Sequence, residues 1–150
     1  MPRMNLRSQI APFAFAVVLL LLLPFVVNAQ SGRTTWPRRE ILDAIRFVES
    51  SNLDNVQDGD GGRAIGPYQI HEVYWDDARK REPGIGGSYQ DCRQRAYAER
   101  VIAAYMRRHV ESAWAEGNAE IIARTHNGGP RGAQNPATRD YWRRVRARLP

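Results

Sequence analysis

Apolar residues recur at helical spacing along most of this chain, and no long alternating run marks a sizeable strand. Ile41, Ile45 and Val48 fall four and three residues apart and predict a first helix, with Pro37 at its first position and Thr35 or Trp36 as its cap. The segment from Asn52 to Gly66, crowded with acids, amides and glycines, reads as a loop. "PYQI" after it suits a short extended piece, and His71 to Arg81 a short helix. A second loop, "EPGIGGS", leads to the longest periodic run, about Tyr89 to Val110. Cys92, Ala96, Ala103, Met106 and Val110 mark its buried stripe, with Tyr97, Val101 and Tyr105 beside it. A further helix runs from Asn118, its cap, to His126, where "NGGP" stops it. Asn135 caps a last helix opened by Pro136, with Tyr141, Val145 and Leu149 facing inward. The pattern predicts a mainly α fold: a single helical domain over residues 37–150, with a loop or short extended piece between its first two helices.

The first 29 residues have a different character. Arg3 and Arg7 precede an almost wholly apolar stretch from Ile10 to Val27, and "VNA" at Val27 to Ala29 offers small residues for cleavage. This is the layout of a secretory signal peptide, followed by a linker over residues 30–36. An uncleaved membrane anchor is the alternative, but Pro24 and the small-residue exit favour cleavage. The expected destination is the periplasm or the medium, with no stable membrane association afterwards. Removing Arg3 and Arg7 with the leader leaves 20 basic residues against 16 acids, a charge of +4. Such a charge suits anionic surfaces such as bacterial envelopes. An exported chain without an aromatic-basic motif is not expected to bind nucleic acid. Cys92 is the only cysteine, so no internal disulfide can form, and the core must hold the fold unaided.

Glu49 follows Ile41 and Ile45 by eight and four residues, which places it on the buried face of the first helix and in its last turn. Burial and the negative end of the helix both disfavour an ionised carboxyl, the condition a general acid needs. A surface glutamate paired with Arg46 or another arginine is the plainer alternative. Asp58 and Asp60 follow in "DGDGG". That loop fails the calcium pattern, because Gly62 and Gln69 stand where ligands are needed. A solvated turn is one reading of it, and a second catalytic carboxylate is another. Two carboxyls in contrasting environments are the equipment of a glycoside hydrolase. The three histidines are widely spaced, so neither a metal nor any other cofactor is expected. Nor does any strand-turn-helix elbow surround a serine that could act as a nucleophile.

Five blocks then come together: "VES" at Val48 to Ser50, "GPYQIHEVYWDDA" from Gly66, "YQDC" from Tyr89, "AYMRRH" from Ala104 and "ARTHNGGPRG" from Ala123, with "YWRRV" near the end. In order and spacing they resemble the invertebrate-type lysozymes, or destabilases, over about Ile41 to Val145. The resemblance implies an α+β lysozyme-like fold and hydrolysis of the β-1,4 bond between N-acetylmuramic acid and N-acetylglucosamine in peptidoglycan. It places the acid on Glu49 and the second carboxylate on Asp60, with Asp58 as the alternative in a shortened loop. It further implies that Tyr68, Gln69 and Tyr74 or Trp75 line or support the sugar cleft, with His126 and Asn127 on its opposite wall. The family's usual disulfides are missing, and Ile65 stands where a cysteine commonly precedes "GPYQI". The expectation is an antimicrobial, monomeric peptidoglycan hydrolase. A lytic transglycosylase, an isopeptidase and a non-catalytic wall-binding protein are its rivals.

Overall fold

Six α-helices and one two-stranded hairpin make up the computed structural model, which describes residues 35–150. The leader expected over residues 1–29 lies outside the described residues. Helix α1 spans Arg38–Ser50, and strands β1 (Ala64–Ile65) and β2 (Ile70–His71) pair antiparallel with Ile65 opposite Ile70. Helices α2 (Glu72–Arg81), α3 (Arg95–His109), α4 (Glu111–Glu116), α5 (Ala119–Gly128) and α6 (Arg139–Arg146) follow. Among the described residues no helix is long and apolar enough to cross a membrane.

Each helix buries the stripe its sequence supplies. Ile41 and Ile45 of α1, Val101 and Ile102 of α3, Ile122 of α5 and Val145 of α6 are completely buried in one core. Helix α2 lies against α3, while α1, α5 and α6 pack on one another. The mainly helical reading therefore holds, with the short extended piece realised as β2 and its partner. Asn118 caps α5 as expected, its Oδ1 accepting from the Ile121 N–H at 3.2 Å.

Four details differ from the sequence reading. Pro37 is the residue before α1 rather than its first, because the Trp36 N–H is already bonded to the Gly117 carbonyl and keeps the chain extended. The run from Tyr89 breaks at Gln94, whose extended backbone separates a 3₁₀ turn at Tyr89–Arg93 from α3. That break resets the helical phase, so Ala96 is exposed and Tyr97, Ala98, Val101 and Tyr105 carry the buried face. Pro136–Thr138 likewise forms a 3₁₀ turn, and α6 begins only at Arg139. Helix α4 had no strong periodic signal because it is a single short turn-and-a-half held by Ala113 and Trp114.

Without disulfides, close backbone packing and polar ties fix the irregular segments. Ile65 and Cys92 are both buried, and Cys92 is a free thiol. Burial pushes that thiol's pKa up to about 12, so it stays an inert packing element. Between them Gly66 has φ +72°, and a Cβ there would lie 2.2 Å from the Cys92 carbonyl oxygen. Gly132 is similar, where a Cβ would meet the Arg124 carbonyl oxygen at 1.9 Å. The buried Arg124 side chain donates to Thr138 Oγ1 and the Asn135 carbonyl, tying the loop after α5 back to the helix. The Tyr68 hydroxyl donates to Glu99 of α3 at 2.8 Å, and Arg95 links Glu99 to Asp43 of α1. Gly66→Ala is predicted to destabilise the fold by about 1–3 kcal/mol or more, from the left-handed backbone and the clash together. Urea denaturation checks this, and a midpoint equal to wild type would refute it.

Candidate active site

Glu49 sits in the last turn of α1, whose final residues carry no basic side chain. Its side chain is only 19% exposed, and the hydroxyl of Tyr141, from α6, donates to Oε1 at 2.6 Å. Burial raises the carboxyl's pKa above the ordinary glutamate value. The Tyr141 hydrogen bond and the charge of Arg144 pull in the other direction without reversing it. The alternative pairing with Arg46 does not occur, since that guanidinium is taken by the Asn52 carbonyl and Asp54.

Beside Glu49 lies His126, in the last turn of α5, with Nε2 3.8 Å from Glu49 Oε1. Nε2 is also 3.1 Å from the Tyr68 carbonyl oxygen, and a carbonyl can only accept. His126 is therefore the tautomer protonated at Nε2, leaving Nδ1 as a lone pair 3.5 Å from the Tyr74 hydroxyl. Burial drops its pKa to about 4. The imidazole is neutral at ordinary pH, and its approach to Glu49 is no ion pair.

A cavity of about 490 Å³ opens in front of this histidine, lined by His126, Asn127, Tyr74, Tyr105 and His71, among others. Tyr74 and Tyr105 are stacked with ring centroids 3.6 Å apart and form an apolar floor. On the other side, His71 Nε2 lies 3.5 Å from Asp60 Oδ2. Two histidines thus line one cavity, one touching Glu49 and the other touching Asp60. Asp60 is 48% exposed and paired with Arg63 at 2.8 Å, and it holds a left-handed backbone at φ +49°. Asp58 is engaged otherwise. Arg93 grips it with both guanidinium nitrogens, Nη2 to Oδ2 at 2.7 Å, and that pairing lowers its pKa.

The aromatic and amide residues divide into those that reach the cavity and those that support it. Tyr68 is 0% exposed, so its ring cannot touch a ligand, and it contributes its backbone carbonyl to orienting His126. Gln69, at φ +48°, turns its amide inward to the carbonyls of Gly66 and Gln57 and braces the loop that carries Asp60. Trp75 points away from the cavity: Nε1 donates to the Tyr97 hydroxyl at 2.9 Å, and Arg79 covers its ring. Its neighbour Tyr74 takes the cavity side, because adjacent helical residues point about 100° apart. Among the described residues, no three His, Cys, Asp or Glu side chains are grouped to hold a metal ion.

Sequence reasoning passed over two residues that the geometry brings forward. Tyr141 was read only as a core residue, yet a buried phenol needs a hydrogen-bond partner and so pointed to a nearby carboxyl. His71 gave no signal beyond its place after "GPYQI", since its link to Asp60 depends on the hairpin register.

A mostly helical fold, a loop-borne aspartate and a buried glutamate at a helix end together define a lysozyme-like domain. The Destabilase family model matches residues 39–148, and the chain belongs to that family, the invertebrate-type lysozymes. The lysozyme of Magallana gigas is 41% identical over 83 residues, covering 55% of this chain and 58% of its own length. Lysozyme 1 of Crassostrea virginica is 40% identical over 85 residues, covering 56% and 44%. The chain thus spans about half the length of these curated relatives. Among solved structures, Meretrix lusoria lysozyme in complex with Aeromonas hydrophila PliI superposes with a TM-score of 0.62. It has 32% identity and covers 73% of this chain and 88% of its own. Tapes japonica lysozyme gives 0.60 at 27% identity, covering 71% and 86%.

The raised pKa of Glu49 has a consequence for stability. Below the ordinary glutamate value the carboxyl is protonated both folded and unfolded, and contributes no difference. As pH climbs through the raised value, the folded state must hold an ionised, poorly solvated carboxylate, and stability falls. Glu49→Gln removes this cost while keeping an acceptor for Tyr141. The variant should be more stable than wild type by about 1 kcal/mol at about pH 8 and no more stable at about pH 4. Thermal melts at the two pH values test this, and a Gln variant less stable at the higher pH would contradict it.

Proposed function

We propose that this chain is a peptidoglycan hydrolase of the muramidase type, cleaving the β-1,4 bond between N-acetylmuramic acid and N-acetylglucosamine. The observation that carries the proposal is the Glu49 carboxyl, raised in pKa, held by Tyr141, still 19% exposed and next to His126, which lines the cavity. In this reading Glu49 donates its proton to the glycosidic oxygen as the bond breaks. Asp60, solvated and kept near the cavity by His71, stands as the anion that stabilises or attacks the developing oxocarbenium ion. Asp58, whose charge is answered by Arg93, is the weaker candidate. His126, neutral at ordinary pH, adds no positive charge of its own beside Glu49.

Glycan runs over the Tyr74–Tyr105 floor between His71 and Asn127 and on past His126 to the exposed part of the Glu49 carboxyl, and Tyr68 and Gln69 brace the walls from behind. Export followed by action on anionic envelope surfaces fits the expected leader and the basic charge.

Clearing of a peptidoglycan suspension by the purified protein tests the reading. Glu49→Gln should lower kcat by about 10²–10⁴-fold, the usual contribution of general acid catalysis. Asp60→Asn should cost about 10²–10³-fold through lost electrostatic stabilisation, with Asp58→Asn far milder. A Glu49→Gln enzyme with undiminished activity would overturn the assignment, and anhydro-muramic product ends would make the enzyme a transglycosylase. The rate should fall on the alkaline side as Glu49 ionises. Tyr141→Phe, which removes a bond favouring the ionised form, should move that fall to higher pH. A pH–rate profile shifted to lower pH would contradict the role given to Tyr141.

A further inference from the structure

The cavity does not stop at the catalytic end. One face of α2 forms its wall, through Val73, Tyr74, Asp77 and Lys80, at the three- and four-residue spacing of a helix. From Tyr74, beside His126, to Lys80 is six residues, about 9 Å along the helix axis. The lining changes character over that length. It runs from the tyrosine floor and the 76% exposed Val73 to a charged end at Asp77 and Lys80.

At that end the two charges are unequally engaged. Asp77 is taken up by His109 of α3, in close contact, and by Arg108 Nε at 3.1 Å. The Lys80 ammonium has only long contacts, 3.4 Å to Asp76 and 3.9 Å to Asp77, and remains 58% exposed. Pairs that loose and exposed hold a side chain weakly. Lys80 is also the only lysine among 22 basic residues. Its cation is thus free to turn toward an occupant of the cavity.

The sugars expected in this cavity carry no charge to meet it. In peptidoglycan the lactyl carboxyl of muramic acid is tied up as an amide, and the free carboxylates belong to the peptide that hangs from it. We propose that the Lys80 end of the cavity is a subsite for that acidic stem peptide, with Val73 and the tyrosines under its apolar stretch and Lys80 binding one of its carboxylates. The proposal rests on the muramidase reading and adds to it a preference for peptide-bearing over naked glycan.

The test is calorimetric binding to the Glu49→Gln protein, which should not turn the ligand over. The probes are a tetrasaccharide of alternating N-acetylglucosamine and N-acetylmuramic acid with its lactyl carboxyls capped as simple amides, the same tetrasaccharide with stem peptides in place of the caps, and a third form with the peptide carboxyls amidated. The peptide should tighten binding about two- to fivefold, the scale of one exposed ion pair. Amidation or Lys80→Ala should erase that gain, and Lys80→Arg should largely restore it. Equal affinity for the bare and peptide-bearing saccharides, or a gain that survives Lys80→Ala, would overturn the proposal. Lysis by the wild-type protein reports separately on the muramidase reading.

Discussion

The desolvation of one carboxyl organises this molecule. Three helices meet at Glu49: α1 carries it, α6 brings the Tyr141 hydroxyl, and α5 brings the ring of His126. The apolar core that makes these helices pack is also what keeps water from the carboxylate. Under the proposed function, stability and acid chemistry oppose each other at this residue, since the burial that raises its pKa burdens the folded state at neutral pH. The hydrogen bond from Tyr141 orients the acid and limits how far its pKa can rise.

The second constraint is the absence of cross-links. In this chain Ile65 and the reduced Cys92 fill space in the core, and the turn between the strands sits so close to the Cys92 backbone that only glycine fits at position 66. Tyr89 adds a polar clasp, with its hydroxyl 2.7 and 2.8 Å from the carbonyl oxygens of Arg63 and Ile70. These contacts hold the loop of Asp60 against the body of the domain. Asp60 itself keeps a left-handed backbone, a conformation that aspartate adopts more readily than most side chains.

Much of this was legible from local pattern. Helices α1, α2 and α5 and the stop at "NGGP" follow from spacing, caps and breakers, all short-range properties. So did the placement of Glu49, because a residue four and eight positions beyond buried isoleucines shares their face. The errors came where tertiary contacts decided. Gln94 broke the long helix and turned Ala96 outward, which periodicity alone could not signal. Trp75 and Tyr74 are adjacent rings of similar chemistry, and only the packing of α2 on α3 settled that Tyr74 takes the cavity side. The pairing of Asp58 with Arg93 joins residues 35 apart, and the His71–Asp60 contact depends on strand register, so neither could be read from either residue's neighbours.

The most direct test of the account is the titration of Glu49 itself, followed by the side-chain carboxyl carbon in NMR spectra of the folded protein and assigned by its loss in Glu49→Gln. A carboxyl that titrates above the ordinary glutamate range, and higher still in Tyr141→Phe, is the predicted result. One that titrates at or below that range would mean that the group is ionised where an acid is required, and the catalytic reading would fall with it.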